Sequence, residues 1–360
     1  MKISIISFTE NGIHLSEKIS KTLAGQEYTL FTKCSAHLRE DSLKKAPNGG
    51  IQFVGESVAE WTKSEMAAGN VLIFIGACAI AVRAAAPNIT DKLHDSPVLV
   101  IDEKGQYVIP ILSGHMGGAN EYAISIAEKI GAIPVITTAT DINHKCAVDI
   151  FAKKNGLAVV NKDGIAKVSS KVLSGQKITI SIEPGHYDKD CRLPNGVELA
   201  DYPPKHRVDV VVSSEQRGFD TAILLRPREY VIGMGCQKGK EAEKIEELIE
   251  QSINELGISV MQTAKLASID VKSNEQGLVA WSRKYNIPFV TYTAQELESV
   301  SGNFHKSDFV KDKVGVDNVC ERAALKACDR TGKLVYEKHA KDGMTIAIAE
   351  MEWSVGFDEI

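Results

Sequence analysis

Val71-Leu72-Ile73-Phe74-Ile75-Gly76-Ala77-Cys78-Ala79-Ile80-Ala81-Val82 is the longest apolar stretch of this chain, and Arg83 ends it. At 12 residues it falls short of the roughly 20 that cross a bilayer as a helix. Its first five residues form a continuous apolar run, the pattern of a strand buried on both faces. Gly76 breaks the run, and residues 76–83 read as the start of a helix. A strand covered on both sides needs helices above and below it, which is the layered α/β arrangement with a largely parallel sheet.

The flanking sequence agrees. Residues 2–8 read as a first strand and residues 12–23 carry apolar side chains at helical spacing (Ile13, Ile19, Leu23). Residues 56–68 are a second helix candidate. Residues 97–101 and 106–109 read as a strand pair joined at Lys104-Gly105, residues 119–130 as a helix with Ala123, Ile126, Ala127 and Ile130 on one face, and 133–137 as a strand. Between 147 and 225 glycine, proline and lysine become more frequent, strands are expected at 177–182, 208–212 and 221–225, and Asp201-Tyr202-Pro203-Pro204 marks a turn or linker. The pattern then restarts. A short strand at 230–232 precedes a helix at 241–256 with Ile245, Leu248, Ile249, Ile253 and Leu256 on its buried face. Ser273-Asn274-Glu275-Gln276 fits a capping box opening a helix that carries Leu278, Trp281 and Tyr285. A strand at 287–291, a helix at 317–328 and a strand at 345–349 follow. The expected division is an N-terminal Rossmann-like α/β domain (1–145), a small α+β middle domain (146–228) and a second α/β domain (229–360).

Composition narrows the function. Lys plus Arg number 42 against 47 Asp plus Glu, a net charge of −5, so general affinity for nucleic acid or an anionic membrane is not expected. The start of the chain reaches Glu10 and Asn11 too soon for a signal peptide. The seven cysteines are scattered with no Cys-x-x-Cys pair, which points to a reduced cytoplasmic setting without disulfides or structural zinc. His94, His144, His186, His206 and His305 show no ligand spacing, so no metal site is expected.

Two glycine-rich stretches stand between a strand and a helix. In Ser113-Gly114-His115-Met116-Gly117-Gly118-Ala119-Asn120-Glu121, backbone freedom and a helix start together suggest an anion cradle, and His115 adds a group that transfers protons near neutral pH. The other reading is a tight turn with a solvated histidine. Gly233-Met234-Gly235-Cys236-Gln237-Lys238-Gly239 is neither a dinucleotide fingerprint nor a P-loop, but a generic anion loop aided by Lys238 and Lys240 remains, with Cys236 read as packed and inert. Asp270, Lys272 and Glu275 stand where a strand gives way to a helix, as a substrate-binding group or an ordinary ion pair. In 315–324, small residues suit close helix packing, and the other reading has Glu321 near the first turn orienting a substrate group. Gly76 begins a helix whose amides are expected to face the same crevice as the Ser113 loop.

Gly76 to Arg83 with Ala84-Ala85-Ala86-Pro87, Ser113 to Asn120, Gly233-Met234-Gly235-Cys236 with Gly239, Ser268 to Gly277 and Gly315 to Ala324 form five ordered stretches. Through them the chain resembles the cobalt-precorrin 5A hydrolase family (CbiG) of anaerobic cobalamin biosynthesis, almost end to end. Its C-terminal part is similar to a small protein found separately in the aerobic pathway. The chain departs from the family at Gln237, where Arg is usual. The resemblance implies hydrolysis of a δ-lactone on a cobalt corrinoid and loss of C20 as acetaldehyde. Cobalt would arrive inside this substrate, so no cofactor or metal site belonging to the protein is implied. Expected roles are proton transfer for His115 and Glu321, and substrate binding for Gly76, Ser113, Gly114, Gly117, Gly118, Asn120, Gly233, Gly235, Lys238, Asp270 and Lys272. No nucleic acid or membrane partner is expected. A homodimer and transient contact with neighbouring pathway enzymes are further expectations. The alternatives are a non-catalytic corrinoid carrier and a nucleotide- or phosphate-binding α/β enzyme.

Overall fold

A computed structural model describes residues 2–23, 25–35, 50–90, 95–115, 117–138, 142, 147–188, 190–329 and 331–357. The chain divides into two compact units, residues 1–145 and 146–360.

The first unit is built on a seven-stranded sheet. Its elements are β1 (Ile3–Ser7), α1 (Glu10–Ser20), β2 (Tyr28–Thr32), β3 (Ile51–Phe53), α2 (Val58–Ala67), β4 (Val71–Ile75), α3 (Cys78–Ala85), β5 (Val98–Ile101), β6 (Tyr107–Leu112), α4 (Ala119–Ile130) and β7 (Ile133–Pro134). The strand order is β3-β2-β1-β4-β5-β6-β7. The first five of these strands run parallel, and β6 runs antiparallel to β5. All five residues of β4 are buried, as expected of a strand covered on both faces. Alternate side chains serve two cores. Ile73 and Ile75 meet Ile19 of α1 and Ile126 of α4, whereas Leu72 and Phe74 meet Trp61 of α2 and Ala81 of α3. Trp61 stands edge-on to Phe31 and Phe74, at centroid distances of 5.3 and 5.7 Å. The last strand is shorter than the sequence suggests, because only Ile133–Pro134 pairs with β6.

The second unit holds two five-stranded sheets. The middle one comprises α5 (Val148–Lys154), β8 (Leu157–Val159), α6 (Asp163–Leu173), β9 (Ile178–Ile182), β10 (Val197–Ala200), β11 (Val208–Val212) and β12 (Thr221–Pro227). It is mixed: β10, β9, β11 and β12 are parallel and β8 is antiparallel. The C-terminal one comprises β13 (Tyr230–Cys236), α7 (Ala242–Glu255), β14 (Thr263–Ile269), α8 (Gln276–Tyr285), β15 (Phe289–Tyr292), α9 (Ala294–Glu298), α10 (Asp308–Val314), α11 (Cys320–Lys326), β16 (Gly332–Lys341) and β17 (Met344–Met351), in the order β15-β14-β13-β17-β16. Helices α7 and α8 cover one face through Ile245, Leu248, Ile249 and Trp281. Helix α11 covers the other through Ala323 and Ala327 against Val231. The capping box expected at Ser273 does not form. Residues Asp270–Lys272 make a 3-10 turn and Glu275 is the cap of α8, its carboxylate drawn elsewhere. Among the described residues no helix is long and apolar enough to cross a membrane.

The chain end ties the two sheets of this unit together. Val355 N–H donates to the His186 carbonyl at 2.8 Å, and Asp188 N–H returns a bond to Val355 O at 3.0 Å. His186 stacks on Trp353 with centroids 3.8 Å apart. Asn155 grips Gly356 at both ends, Nδ2 donating to its carbonyl at 3.0 Å and Oδ1 accepting from its amide at 2.8 Å. Asn155→Ala removes both bonds. It should cost about 1–3 kcal/mol, read as a lower urea midpoint with an unchanged slope.

Candidate functional site

The Ser113 loop is built by its own backbone. Ser113 takes a left-handed conformation (φ 55°), a strain offset by its Oγ donating to Asp95 O at 2.7 Å. The amides of Gly118, Ala119 and Asn120 donate to the carbonyls of His115, Ser113 and Gly114 at 3.0, 3.1 and 3.0 Å. The expected row of free donors at this helix start is therefore corrected: these three N–H groups point into the loop. The glycines answer to the same packing. A Cβ on Gly117 would lie 2.5 Å from Ser113 Cβ, and one on Gly114 would lie 2.7 Å from Oδ1 of the buried Asn120. Asn120 donates through Nδ2 to Thr138 Oγ1 at 3.0 Å. His115 is half-buried on this loop, and Met116 lies outside the described residues.

Strand direction separates this loop from Gly76. Leu112 pairs with Val98 and Val108 with Ile101, so β6 ends where β5 begins. Gly76 follows the other end of β4, its amide donating to Ile101 O at 2.9 Å. The expectation that both face one crevice is corrected by the antiparallel turn of β6. Ligands in open parallel sheets gather at the carboxyl ends of the strands, which is the Gly76 edge. There α3 presents Ile80 and Val82 to solvent.

In the second unit, Gly233 and Gly235 are not in a loop. Strand β13 runs through to Cys236, and both glycines pair with β17 opposite Ala347 and Thr345. Their role is to admit α11: a Cβ on Gly233 would lie 1.9 Å from the Cys320 carbonyl oxygen. This corrects the reading of Gly233 as part of an anion loop. The turn proper begins after Cys236, with Gln237, Lys238 and Gly239 exposed. Its anion is supplied from within. Glu275 accepts from the Gly239 amide at 2.7 Å and from Lys272 Nζ at 2.9 Å, and both side chains are largely buried. Burial raises the Glu275 carboxyl, but Lys272 and the loop amides more than offset it and hold it below the ordinary range. Lys272 is thus committed to Glu275. Asp270 is exposed, with its carboxylate accepting from Val271 N–H at 2.7 Å; the strand stops at Ile269, so Asp270 and Lys272 do not alternate as a continued strand would place them. Burial raises the Cys236 thiol, the opposite of activation.

Glu321 is fully buried near the start of α11. Its Oε1 accepts from His305 Nδ1 and from the Lys338 amide, each at 2.9 Å, and its Oε2 accepts from the His305 amide at 2.9 Å and from Asn318 Nδ2. Burial pushes this carboxyl up, and the Lys338 and His305 donors together hold it below the usual range. Saturated in this way, Glu321 reaches outward only through the His305 ring, which is 58% exposed. No sequence spacing pointed to His305, which stands 16 positions upstream across α10. Asn318-x-x-Glu321 reads locally as a helix cap, and Asn318 Oδ1 does accept from Glu321 N–H at 2.9 Å. Among the described residues no cluster of three or more His, Cys, Asp or Glu has metal-ligand geometry; His94 and His144 lie outside them.

These features define a multi-part α/β protein with glycine-dependent helix contacts and a carboxylate-held histidine at one sheet edge. Residues 60–141, 146–227 and 230–349 match family models described as Cobalamin synthesis G N-terminal, Cobalamin biosynthesis central region and Cobalamin synthesis G C-terminus. The chain belongs to this CbiG family. It is 30% identical to a cobalt-precorrin-5A hydrolase of Priestia megaterium, over 96% of this chain and 94% of that one. It is 31% identical to a cobalt-precorrin-5A hydrolase of Salmonella typhimurium, over 96% and 97%. Protein CobE of a Sinorhizobium species is 28% identical over 33% of this chain and 78% of its own length.

Proposed function

We propose that this chain hydrolyses cobalt-precorrin-5A: water opens the δ-lactone of the ring A acetate, and C20 leaves as acetaldehyde. The observation that carries this reading is similarity over nearly the whole length to two proteins of that name, at 30% and 31% identity. In this reading cobalt belongs to the substrate, and the protein supplies binding and proton transfer.

The chemistry asks for a proton acceptor twice, at the attacking water and at the C20 hydroxyl freed by lactone opening. In the second step that hydroxyl loses its proton, its oxygen electrons form the aldehyde carbonyl, and the broken carbon–carbon bond leaves its pair on the macrocycle, which takes up a proton. His115 is the acid/base candidate of the first unit. Glu321, closed in by four donors, serves through the group it holds. Lys238 is exposed just past the end of β13 and suits a substrate carboxylate, and Val271, 67% exposed just past the end of the neighbouring strand β14, suits the apolar body of a macrocycle.

Purified protein mixed with cobalt-precorrin-5A, followed by a coupled alcohol dehydrogenase assay, is expected to release one equivalent of acetaldehyde that is absent without enzyme. Binding of the corrinoid with no acetaldehyde would replace this reading with that of a carrier.

A further inference from the structure

We infer that His305 is an acid/base residue acting at the lactone-opening water, with Glu321 as its positioning residue; this rests on the hydrolase reading above.

The geometry at His305 is more restrictive than a surface loop requires. Its amide donates to Glu321 at 2.9 Å, and its carbonyl accepts from Asn318 Nδ2 at 3.0 Å and from Lys338 Nζ at 3.2 Å. Phe304 beside it is buried under the Arg322 guanidinium, 4.4 Å from the ring centroid. Arg322 is itself fixed by Asp317 at 3.0 Å and by the Val300 carbonyl at 2.8 Å. The backbone is therefore clamped while the imidazole projects into solvent.

Nδ1 faces the ionised Glu321 carboxylate at 2.9 Å. A proton on Nδ1 is the favoured arrangement, and it leaves the lone pair on Nε2 at the exposed edge. Three charged groups face the ring: Glu321, the Lys338 ammonium bound to the residue's carbonyl, and Glu337, whose carboxylate lies 3.8 Å from Nε2. Two of the three are carboxylates, one at each ring nitrogen. Val319, two residues before Glu321, packs against Gly235, and Cys320 and Ala324 against Gly233. Helix α11 thus runs antiparallel to β13. Its start, with His305, lies at the carboxyl edge of the parallel strands, where Gln237 and Lys238 emerge.

In the step assigned here, Nε2 takes a proton from water as the water oxygen bonds to the lactone carbonyl carbon, whose π electrons move to oxygen. Collapse of the tetrahedral species breaks the acyl carbon–oxygen bond. The imidazolium returns its proton to the leaving oxygen, giving a hydroxyl and a carboxylic acid that ionises. One water is consumed and the imidazole is regenerated.

A purely structural Glu321 would need the backbone amides and Asn318, but no imidazole at an exposed position. His305→Gln and Glu321→Gln separate the two roles in single-turnover reactions of the full chain with cobalt-precorrin-5A. His305→Gln should slow lactone opening by about 10²-fold or more while corrinoid binding stays within about threefold. Glu321→Gln should lower kcat by about tenfold with KM within about threefold, because the amide no longer holds the imidazole with Nε2 outward. If the wild type turns over and His305→Gln keeps its rate, the inference is overturned and the hydrolase reading stands. A wild type that binds the corrinoid without turnover overturns both. Should Glu321→Gln not fold, His305→Gln, at an exposed side chain, decides alone.

Discussion

Gly233→Ala should cost the second unit on the order of 4 kcal/mol, a large fraction of a domain's whole stability. The added methyl has nowhere to go. It would lie 1.9 Å from the Cys320 oxygen and 2.8 Å from the Ala324 nitrogen, both backbone atoms of a helix packed on a central strand. Relief requires moving α11 off the sheet. That movement would open the cluster of Val231, Ala267, Val319, Ala323 and Ala327 and break the anchorage of Glu321. Gly235→Ala is the control two residues on, on the same face of β13. There the nearest atom is Thr345 Oγ1 at 2.8 Å, the movable end of a side chain, and Val319 stands back at 3.7 Å. Its cost should be no more than about 1 kcal/mol, because only a side-chain end has to move. Urea unfolding and hydrogen exchange of the β13 amides measure both. An anion-loop role would instead predict similar losses of binding from both variants with the fold intact. Equal stability of the two variants would show that Gly233 does not set the helix approach.

The second large effect is pH-dependent. Glu229 lies between β12 and β13, 3% exposed, and accepts from Gln262 Nε2 at 3.1 Å. Burial pushes its carboxyl up to about 7, with help from Glu350 and Glu183 and against the Gln262 and Trp353 hydrogen bonds. The folded protein therefore holds this proton through a range in which the unfolded chain has lost it. Its stabilising contribution is fully present below about pH 4.5, the ordinary value, and is lost as pH rises towards 7. Glu229→Gln retains an acceptor for Gln262 and carries no charge. The variant should gain roughly 2–3 kcal/mol relative to wild type between pH 5 and pH 8, about 5–10 °C in Tm for a unit of this size. Melting curves across that range test it. Parallel pH profiles for the two proteins would mean that the carboxyl ionises normally inside the fold.

Part of the molecule was legible because the relevant forces are local. The unbroken run of β4 could be satisfied only by cover on both faces. The apolar stripe of α4, with Ala123, Ile126, Ala127 and Ile130 buried, shows its one core-facing side in the spacing alone. Strand existence was readable in β1, β9 and β11 for the same reason. The polar capping signals were less decisive. Ser273 to Gln276 satisfies the capping pattern, yet Glu275 caps the helix and binds both Lys272 three positions before it and the distant Gly239 amide, so the local motif yields to a bond across the fold.

The candidate sites depended on what the chain meets after folding. A glycine between a strand and a helix reads as a turn, but Gly233 continues its strand because a helix more than 80 positions downstream needs the space. A glycine-rich helix start reads as an anion cradle, but the Ser113 loop closes its own amides on its own carbonyls. The pair joined at Lys104-Gly105 already implied that β6 reverses direction. Only the sheet order shows that this reversal carries Ser113 away from the Gly76 edge. Glu321 was visible as an acid near a helix start. Its bond to His305 was not, because hydrogen bonding between side chains depends on distance in space, and no sequence period links a loop to the helix that folds back over it. Sequence alone determined the α/β layering, the buried strands and the family. The tertiary structure decided which polar groups are spent internally and which face outward, because desolvation penalises every donor or acceptor the packing leaves unpaired.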